Sequence, residues 1–257
     1  EEVRSFLMSA AAFWIDKYHV DGLRMDAISN IIHWHGNKDL GENEGALHFI
    51  KRMNYHLSEA YKGVMLIAED SSDFANVTKA TQDGGLGFDY KWNMGWMNDF
   101  LEYMKYDPYF RSHHYKELTF SMLYAYSEDF ILVFSHDEVV HGKGSMAGKM
   151  PGMSLEDKFA NLRTAYGFMM GHPGKKLLFM GQDFGQLDEW NENVQLEWEL
   201  LDYPIHGRMK EYVKELNHLY RSYPALYKKD YQPDGFEWVN CMDSANNIVS
   251  FIRKTDK

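Results

Sequence analysis

Apolar residues recur along this chain at two different spacings, and segments of the two kinds alternate. Within residues 3–19 and 45–61 they return every three or four positions, which is typical of amphipathic helices. Short apolar runs of strand length follow these two segments, at 20–28 and 64–68. Similar runs occur later in the chain, at 130–134 and 176–180. This alternation predicts parallel β-α-β units, an α/β fold in which helices cover a parallel sheet. We expect the run 20–28 to be a short buried strand and the run 64–68 to be a strand covered on both faces.

The remaining segments complete the expected order of elements. Residues 29–44 are polar and predict a loop, and the glycine-rich stretch 84–93 predicts a short strand that leads into a loop. Helical spacing returns in the segments 94–106, 154–170 and 206–221. Ser154, with Asp157 three residues later, resembles a capping box at the start of the second of these helices.

The pattern changes after Tyr223-Pro224. Residues 236–241 and 248–253 predict two strands joined by a polar turn, which is an antiparallel hairpin. We therefore expect two domains: residues 1–226 form the α/β part, and residues 227–257 begin an all-β domain.

Composition limits the classes of function. The 257 residues are 45% hydrophobic, enough to bury a sizeable core, and the net charge of −11 argues against nucleic acid or an anionic membrane surface as partner. No apolar run reaches the length of a membrane span. The single cysteine, Cys241, cannot form an internal disulfide, which favours a cytoplasmic location. The chain starts at Glu1 directly in a helical pattern, so we expect a fragment.

Carboxylates follow three of the strand-like runs: Asp26, Glu69 and Asp137, the last preceded by His136. Arg24 and Asp26 lie two residues apart on a strand and project from the same side, where the cation would keep Asp26 ionised. In a parallel α/β barrel the carboxyl ends of the strands surround a single opening. We therefore expect the three carboxylates to converge.

Two opposed carboxyl groups are what the chemistry of a glycosidic bond requires, one as nucleophile or base and the other as proton donor. The nucleophile must stay ionised, which Arg24 favours for Asp26. The acid must hold its proton near neutral pH, which an apolar environment favours. Glu69 emerges from the apolar run 64–68 and is the better candidate for the acid.

Other interpretations fit single residues. Each carboxylate alone could be a helix N-cap or a surface ion-pair partner. Metal binding by His136, Asp137 and His141 is an alternative, but their spacing fits no familiar zinc pattern, and we expect neither a metal nor a cofactor. Four aromatic residues lie in loop-like stretches where rings stack on sugars, although packing in the core is the alternative for each: Tyr90, Trp92, Trp96 and Trp190.

Several motifs now point to a family. The segments VDGLRMDAI, LIAEDSS and FSHDEVVHGKGS resemble three motifs of the α-amylase superfamily. The run GGLGFDYKWNMGWMNDFLEYM, with HPGKKLLFMGQDFGQ and the EWN after it, resembles the branching enzymes of that superfamily. Many α-amylases carry Lys-His just after the nucleophile, where this chain has Ser29-Asn30. The similarity covers nearly the whole chain, and it favours branching over hydrolysis.

The resemblance implies a fold and a role for each candidate residue. The fold would be a partial (β/α)8 TIM barrel, about strands 4 to 8, followed by the beginning of an antiparallel β domain. Asp26 would be the nucleophile, Glu69 the general acid/base and Asp137 the stabiliser of the transition state. Arg24, His136 and Trp92 would bind and position the substrate.

The implied reaction forms α-1,6 branches by cleaving an α-1,4-glucan and transferring the segment to a 6-hydroxyl, with glucan chains as donor and acceptor. An α-1,4-glucan hydrolase and a non-catalytic glucan-binding fragment remain alternatives. The family's first motif, with an Asp and a His from the third strand, has no counterpart here. We therefore expect this chain alone to be inactive, and to pair with the missing N-terminal half of the barrel or to self-associate.

Overall fold

Helices and strands alternate much as the apolar spacing predicts. The structure is a computed structural model and describes residues 1–256. Its helices are Glu2–Tyr18 (α1), Ser29–Ile32 (α2), Glu44–Ala60 (α3), Met94–Lys105 (α4), Tyr115–Thr119 (α5), Met146–Lys149 (α6), Leu155–Gly171 (α7) and Pro204–Ser222 (α8). Its strands are Gly22–Met25 (β1), Met65–Ala68 (β2), Tyr90–Trp92 (β3), Phe130–Phe134 (β4), Lys175–Leu178 (β5), Phe236–Asp243 (β6) and Ile248–Arg253 (β7). Several short 3-10 turns connect them.

The described chain divides into two compact units. The first contains Glu1–Met94 and Ser127–Ile131. In it, β1, β2, β3 and the start of β4 pair in that order and all in parallel, with Met25 opposite Ala68 and Ala68 opposite Lys91. The predicted parallel sheet is confirmed. Apolar residues from α3 and from β2 form its core together, among them Leu47, Ile50, Met53, Leu57, Leu66 and Ala68.

The second unit contains Gly95–Tyr126 and the chain from Leu132 onward. The end of β4 is fully buried in it, and the ring of Trp96 on α4 packs against Phe134 at 5.2 Å between centroids. Ser154 and Asp157 form the predicted capping box at the start of α7.

The predicted hairpin is present as the antiparallel pair β6–β7. Gly171 lets the Phe251 ring approach closely, since a Cβ atom there would lie 2.9 Å from the ring. The domain boundary at 226/227 stays a prediction.

Three local expectations need correction. Strand β1 is half-buried rather than buried, and in β2 only Leu66 and Ala68 are buried, so the sheet is not covered on both faces there. The segment 29–44 is not a plain loop, because it contains α2 and two 3-10 turns. Ile28 and Ile32, both fully buried, lie four residues apart, so one helical turn places both side chains in the core.

Helix α1 presents large apolar side chains to solvent. We call this surface the α1 apolar face: Val3, Phe6, Phe13, Trp14 and Tyr18. No helix within residues 1–256 combines the length and the apolar character needed to cross a bilayer.

Candidate active site

The first unit brings Arg24, Asp26 and Glu69 into direct contact. Met25 ends β1 and Ala68 ends β2, and the two residues face each other in the sheet, so the side chains that follow emerge together. Nη1 of Arg24 lies 2.9 Å from Oδ1 of Asp26 and 3.2 Å from Oε2 of Glu69. The predicted Arg24–Asp26 pair is present, and the same guanidinium nitrogen also contacts the second carboxylate.

This shared nitrogen limits the separation of the two carboxyl groups. The distances of 2.9 Å and 3.2 Å from one atom place the two oxygens no more than about 6 Å apart. Retaining glycosidases hold their two carboxyl groups at about 5 to 5.5 Å, whereas inverting enzymes leave about 6.5 to 9.5 Å for a water molecule. This upper limit on one pair of oxygens is compatible with the separation of a retaining pair.

The two carboxylates occupy different environments. The side chain of Glu69 is 14% exposed and that of Asp26 is 76% exposed. Burial raises the pKa of Glu69 and the neighbouring Asp26 raises it further, while the Ala27 N–H and Arg24 lower it; the net direction is upward. A carboxyl group with a raised pKa is suited to donate a proton, and a solvated carboxylate beside a cation is suited to attack.

Ala27 supplies a contact that the motif did not reveal. Its backbone N–H donates to Oε2 of Glu69 at 2.7 Å. Ala27 adopts a left-handed conformation with φ of 43°, which is uncommon for a residue other than glycine. Backbone strain of this kind often marks a functional site. A backbone donor leaves no side-chain signal in a sequence, so this contact is visible only in the structure.

Trp92 differs from the sequence expectation. It ends strand β3 rather than lying in a loop, and it is buried. The Arg24 guanidinium lies over its ring, 4.4 Å from the centroid. This face of the ring is therefore occupied by a cation, and Trp92 supports Arg24 instead of offering an open surface to a sugar. Trp96 likewise lies in α4 and is buried in the core.

The second unit places His136 and Asp137 directly after β4. Ser135 and Glu138 form a capping box around the short 3-10 helix His136–Val139. Nε2 of His136 lies 3.4 Å from Oδ1 of Asp137, and both residues are half-buried. Lys143 Nζ donates to the backbone oxygen of Asp137 at 2.6 Å. His136 and Asp137 therefore lie together at the end of a strand, as predicted.

Two charged residues fix the loop that follows. The carboxylate of Glu189 accepts hydrogen bonds from the N–H groups of Gly142 and Gly144. Lys149 Nζ donates to the backbone oxygens of Glu138, Lys143 and Gly144, and burial lowers its pKa to about 8. A groove of about 560 Å³ lies beside His136, and His141, Glu189 and Trp190 contribute to its lining.

The structure thus forms two groups of predicted site residues, each within one unit: Arg24, Asp26, Glu69 and Trp92 in the first, and His136 with Asp137 in the second. Their convergence around one substrate stays a prediction. Among residues 1–256, no group of three or more His, Cys, Asp or Glu side chains is arranged to hold a metal ion.

The pKa of Glu69 responds in opposite directions to two substitutions. Asp26→Asn removes a charge that raises this pKa, so it should fall; Arg24→Met removes a charge that lowers it, so it should rise. The measurement is a pH titration of side-chain ¹³C carboxyl shifts, with the Glu69 signal assigned by its absence in Glu69→Gln. Shifts of the same sign in both variants would contradict this electrostatic description.

Comparison with known proteins identifies the class. The family described as the α-amylase catalytic domain matches residues 1–245. The chain therefore belongs to the α-amylase catalytic-domain family.

Individual relatives are more specific. The chain is 53% identical over 256 residues to the 1,4-α-glucan branching enzyme GlgB of Bacillus caldolyticus, covering 100% of this chain and 38% of the relative. It is 52% identical over 256 residues to the enzyme of the same name from Geobacillus stearothermophilus, covering 100% of this chain and 40% of the relative. The chain thus spans less than half the length of these curated relatives.

A solved structure supports the fold. The pullulanase from Bacillus acidopullulyticus superposes with a TM-score of 0.67 over 96% of this chain and 32% of its own, at 16% identity. At this identity the likeness concerns the fold alone.

Proposed function

We propose that this chain is a catalytic portion of a 1,4-α-glucan branching enzyme acting in glycogen biosynthesis. The observation that carries the proposal is the pair of carboxylates, Asp26 and Glu69, held close together by one nitrogen of Arg24. The names of relatives at about half identity over the full chain supply the reaction. We also propose that the parallel strands are part of an eight-stranded barrel and that the protein is cytoplasmic.

The reaction proceeds in two displacements. In the first, a carboxylate oxygen of Asp26 attacks the anomeric carbon while Glu69 gives its proton to the departing O4, which yields a glycosyl ester on Asp26 and a shortened glucan. In the second, the Glu69 carboxylate removes the proton from the 6-hydroxyl of an acceptor chain. The resulting oxygen attacks the anomeric carbon, the ester bond breaks, and an α-1,6 branch forms with Asp26 free again.

The other residues act on charge and position. Arg24 holds the attacking carboxylate in place through the ion pair at 2.9 Å, and the Trp92 ring supports the guanidinium. Asp137 stabilises the developing positive charge on the sugar through contacts that strengthen in the transition state, which is where binding accelerates a reaction. His136, whose ring lies beside Asp137, binds the same sugar.

The proposal is tested in a chimera in which these 257 residues replace the matching segment of the Geobacillus stearothermophilus enzyme. With amylose as substrate, we expect α-1,6 linkages to accumulate, measured by isoamylase debranching, with few new reducing ends. Reducing ends that increase without new branches would instead show an α-1,4-glucan hydrolase. Glucan binding with neither product would show a non-catalytic binding fragment. The 257-residue chain alone is expected to be inactive in the same assay.

We propose that the isolated chain self-associates through the α1 apolar face. Contiguous exposed apolar surface of this kind marks interaction sites. Size-exclusion chromatography with light scattering should show oligomers of the wild-type chain, and monomers of a Phe6→Glu, Phe13→Glu double variant. Leu123→Glu, at another exposed apolar position, is the matched control and should remain oligomeric. A monomeric wild-type chain would contradict the proposal.

A further inference from the structure

A buried ion pair lies immediately next to the proposed acid in both sequence and space. Nζ of Lys91 is 2.7 Å from Oδ2 of Asp70, and the two side chains are 7% and 0% exposed. The same ammonium group donates to the backbone oxygen of Ser72 at 3.2 Å. Oδ1 of Asp70 accepts from the backbone N–H of Ser72 at 3.0 Å. Together these contacts close the turn that leaves strand β2.

The pair connects the two strands that carry Glu69 and Trp92. Asp70 directly follows Glu69, and Lys91 directly precedes Trp92. Ala68 and Lys91 face each other in the parallel register of β2 and β3. Because side chains alternate between the faces of a sheet, the ion pair lies on one face, and Glu69 and Trp92 project from the other.

Arg24 spans the other face. It contacts Glu69 at 3.2 Å and lies 4.4 Å from the centroid of the Trp92 ring. A shift of β2 relative to β3 would therefore separate the two groups between which Arg24 is held. Such a shift would also move Asp70 away from Lys91, so the ion pair opposes it.

Stability alone does not require charges at these positions. A well-packed apolar pair of similar volume is often as stable as a buried ion pair, because removing two charges from water offsets their attraction. The hydrogen bonds of an ion pair, however, depend on direction and specify one geometry. Asp70 lies in the segment LIAEDSS and Lys91 in the segment GGLGFDYKWN, but nothing in either segment shows that the two residues pair.

We propose that Asp70 and Lys91 are positioning residues that hold the Glu69 carboxyl in its buried contact with Ala27 and Arg24. The inference rests on the proposed function, because that function gives Glu69 its role as acid/base. Asp70 and Lys91 contact no reacting atom and act through the turn at the end of β2.

The test is a ¹³C titration of Glu69 in the 257-residue chain, which needs no turnover and so is independent of whether the branching assay succeeds. The variants are Lys91→Met and the double variant Asp70→Leu, Lys91→Met. The double variant replaces the pair by apolar residues and keeps the site folded if the single variant is unstable. Circular dichroism checks the fold of each.

In the double variant, the Glu69 midpoint should move down toward its usual value, because the freed carboxyl becomes hydrated and leaves the buried site beside Asp26. Lys91→Arg keeps the charge and should retain most of the wild-type midpoint. Lys38→Met, which breaks an exposed ion pair with Asp73, is the control and should leave Glu69 unchanged. A folded double variant with the wild-type midpoint, or a higher one, would overturn the proposal.

Discussion

Glu69→Gln and Asp26→Asn should each lower the branching rate of the chimera by about 10³-fold or more, the scale expected when a general acid/base or a nucleophile is removed. Glutamine cannot donate a proton to O4, and asparagine cannot form the glycosyl ester. Both amides keep the size of the carboxyl group, so the fold should remain. The measurement is the initial rate of formation of α-1,6 linkages.

The double variant Asp26→Asn, Glu69→Gln shows whether the losses of branching rate in the two single variants add. If the two residues serve the same displacement, the double variant should be about as inactive as each single variant, because groups that act as a unit are not additive. Asp73→Asn, at an exposed carboxylate that pairs with Lys38, is the matched control and should keep the full rate. Appreciable branching by Glu69→Gln would remove Glu69 from the mechanism.

Asp230→Ala should destabilise the chain by about 3 to 5 kcal/mol, the usual cost of removing one partner of a buried ion pair. The Asp230 carboxylate is fully buried and lies 2.9 Å from Lys175 Nζ and 2.8 Å from Arg253 Nη2. Tyr220 also donates to it at 3.0 Å. Alanine removes the acceptor that these donors share and breaks the ionic link through Asp230 between Lys175 on β5 and Arg253 on β7. Urea denaturation measures the free energy of unfolding.

The matched control for this prediction is a nearby ion pair whose carboxylate is exposed to solvent. Asp234 pairs with Lys229 at 2.6 Å, but its side chain is 67% exposed. Solvent screens such pairs, so Asp234→Ala should leave the unfolding midpoint almost unchanged. Equal losses in the two variants would show that burial does not determine the strength of these contacts.

The regular elements were largely predictable because they repeat one pattern over many residues. Helix α3 has nearly the predicted bounds, and β4 has the predicted bounds, since its five residues are all apolar. Helix α2 was missed, because four residues are too short to show a helical period. Its existence depends on the burial of Ile28 and Ile32, which is a tertiary effect.

The site was predictable in its residue types but not in all of its contacts. Asp26 and Glu69 were expected to lie near each other because each follows a parallel strand, and Arg24 was expected beside Asp26. The contact of Arg24 with Glu69, 45 positions away, depends on strand register. The burial of Trp92 beneath Arg24 depends on the same register, and spacing within one segment does not contain that information.

The central claim is that Asp26 and Glu69 act as a retaining pair with Asp26 as nucleophile. It is tested most directly by treating the Glu69→Gln chimera with an α-maltosyl fluoride, whose fluoride leaves without a proton, and by sequencing the labelled peptide by mass spectrometry. The account predicts a glycosyl ester on Asp26. A glycosyl label on another residue, or a β-configured first product with no labelled peptide, would contradict it.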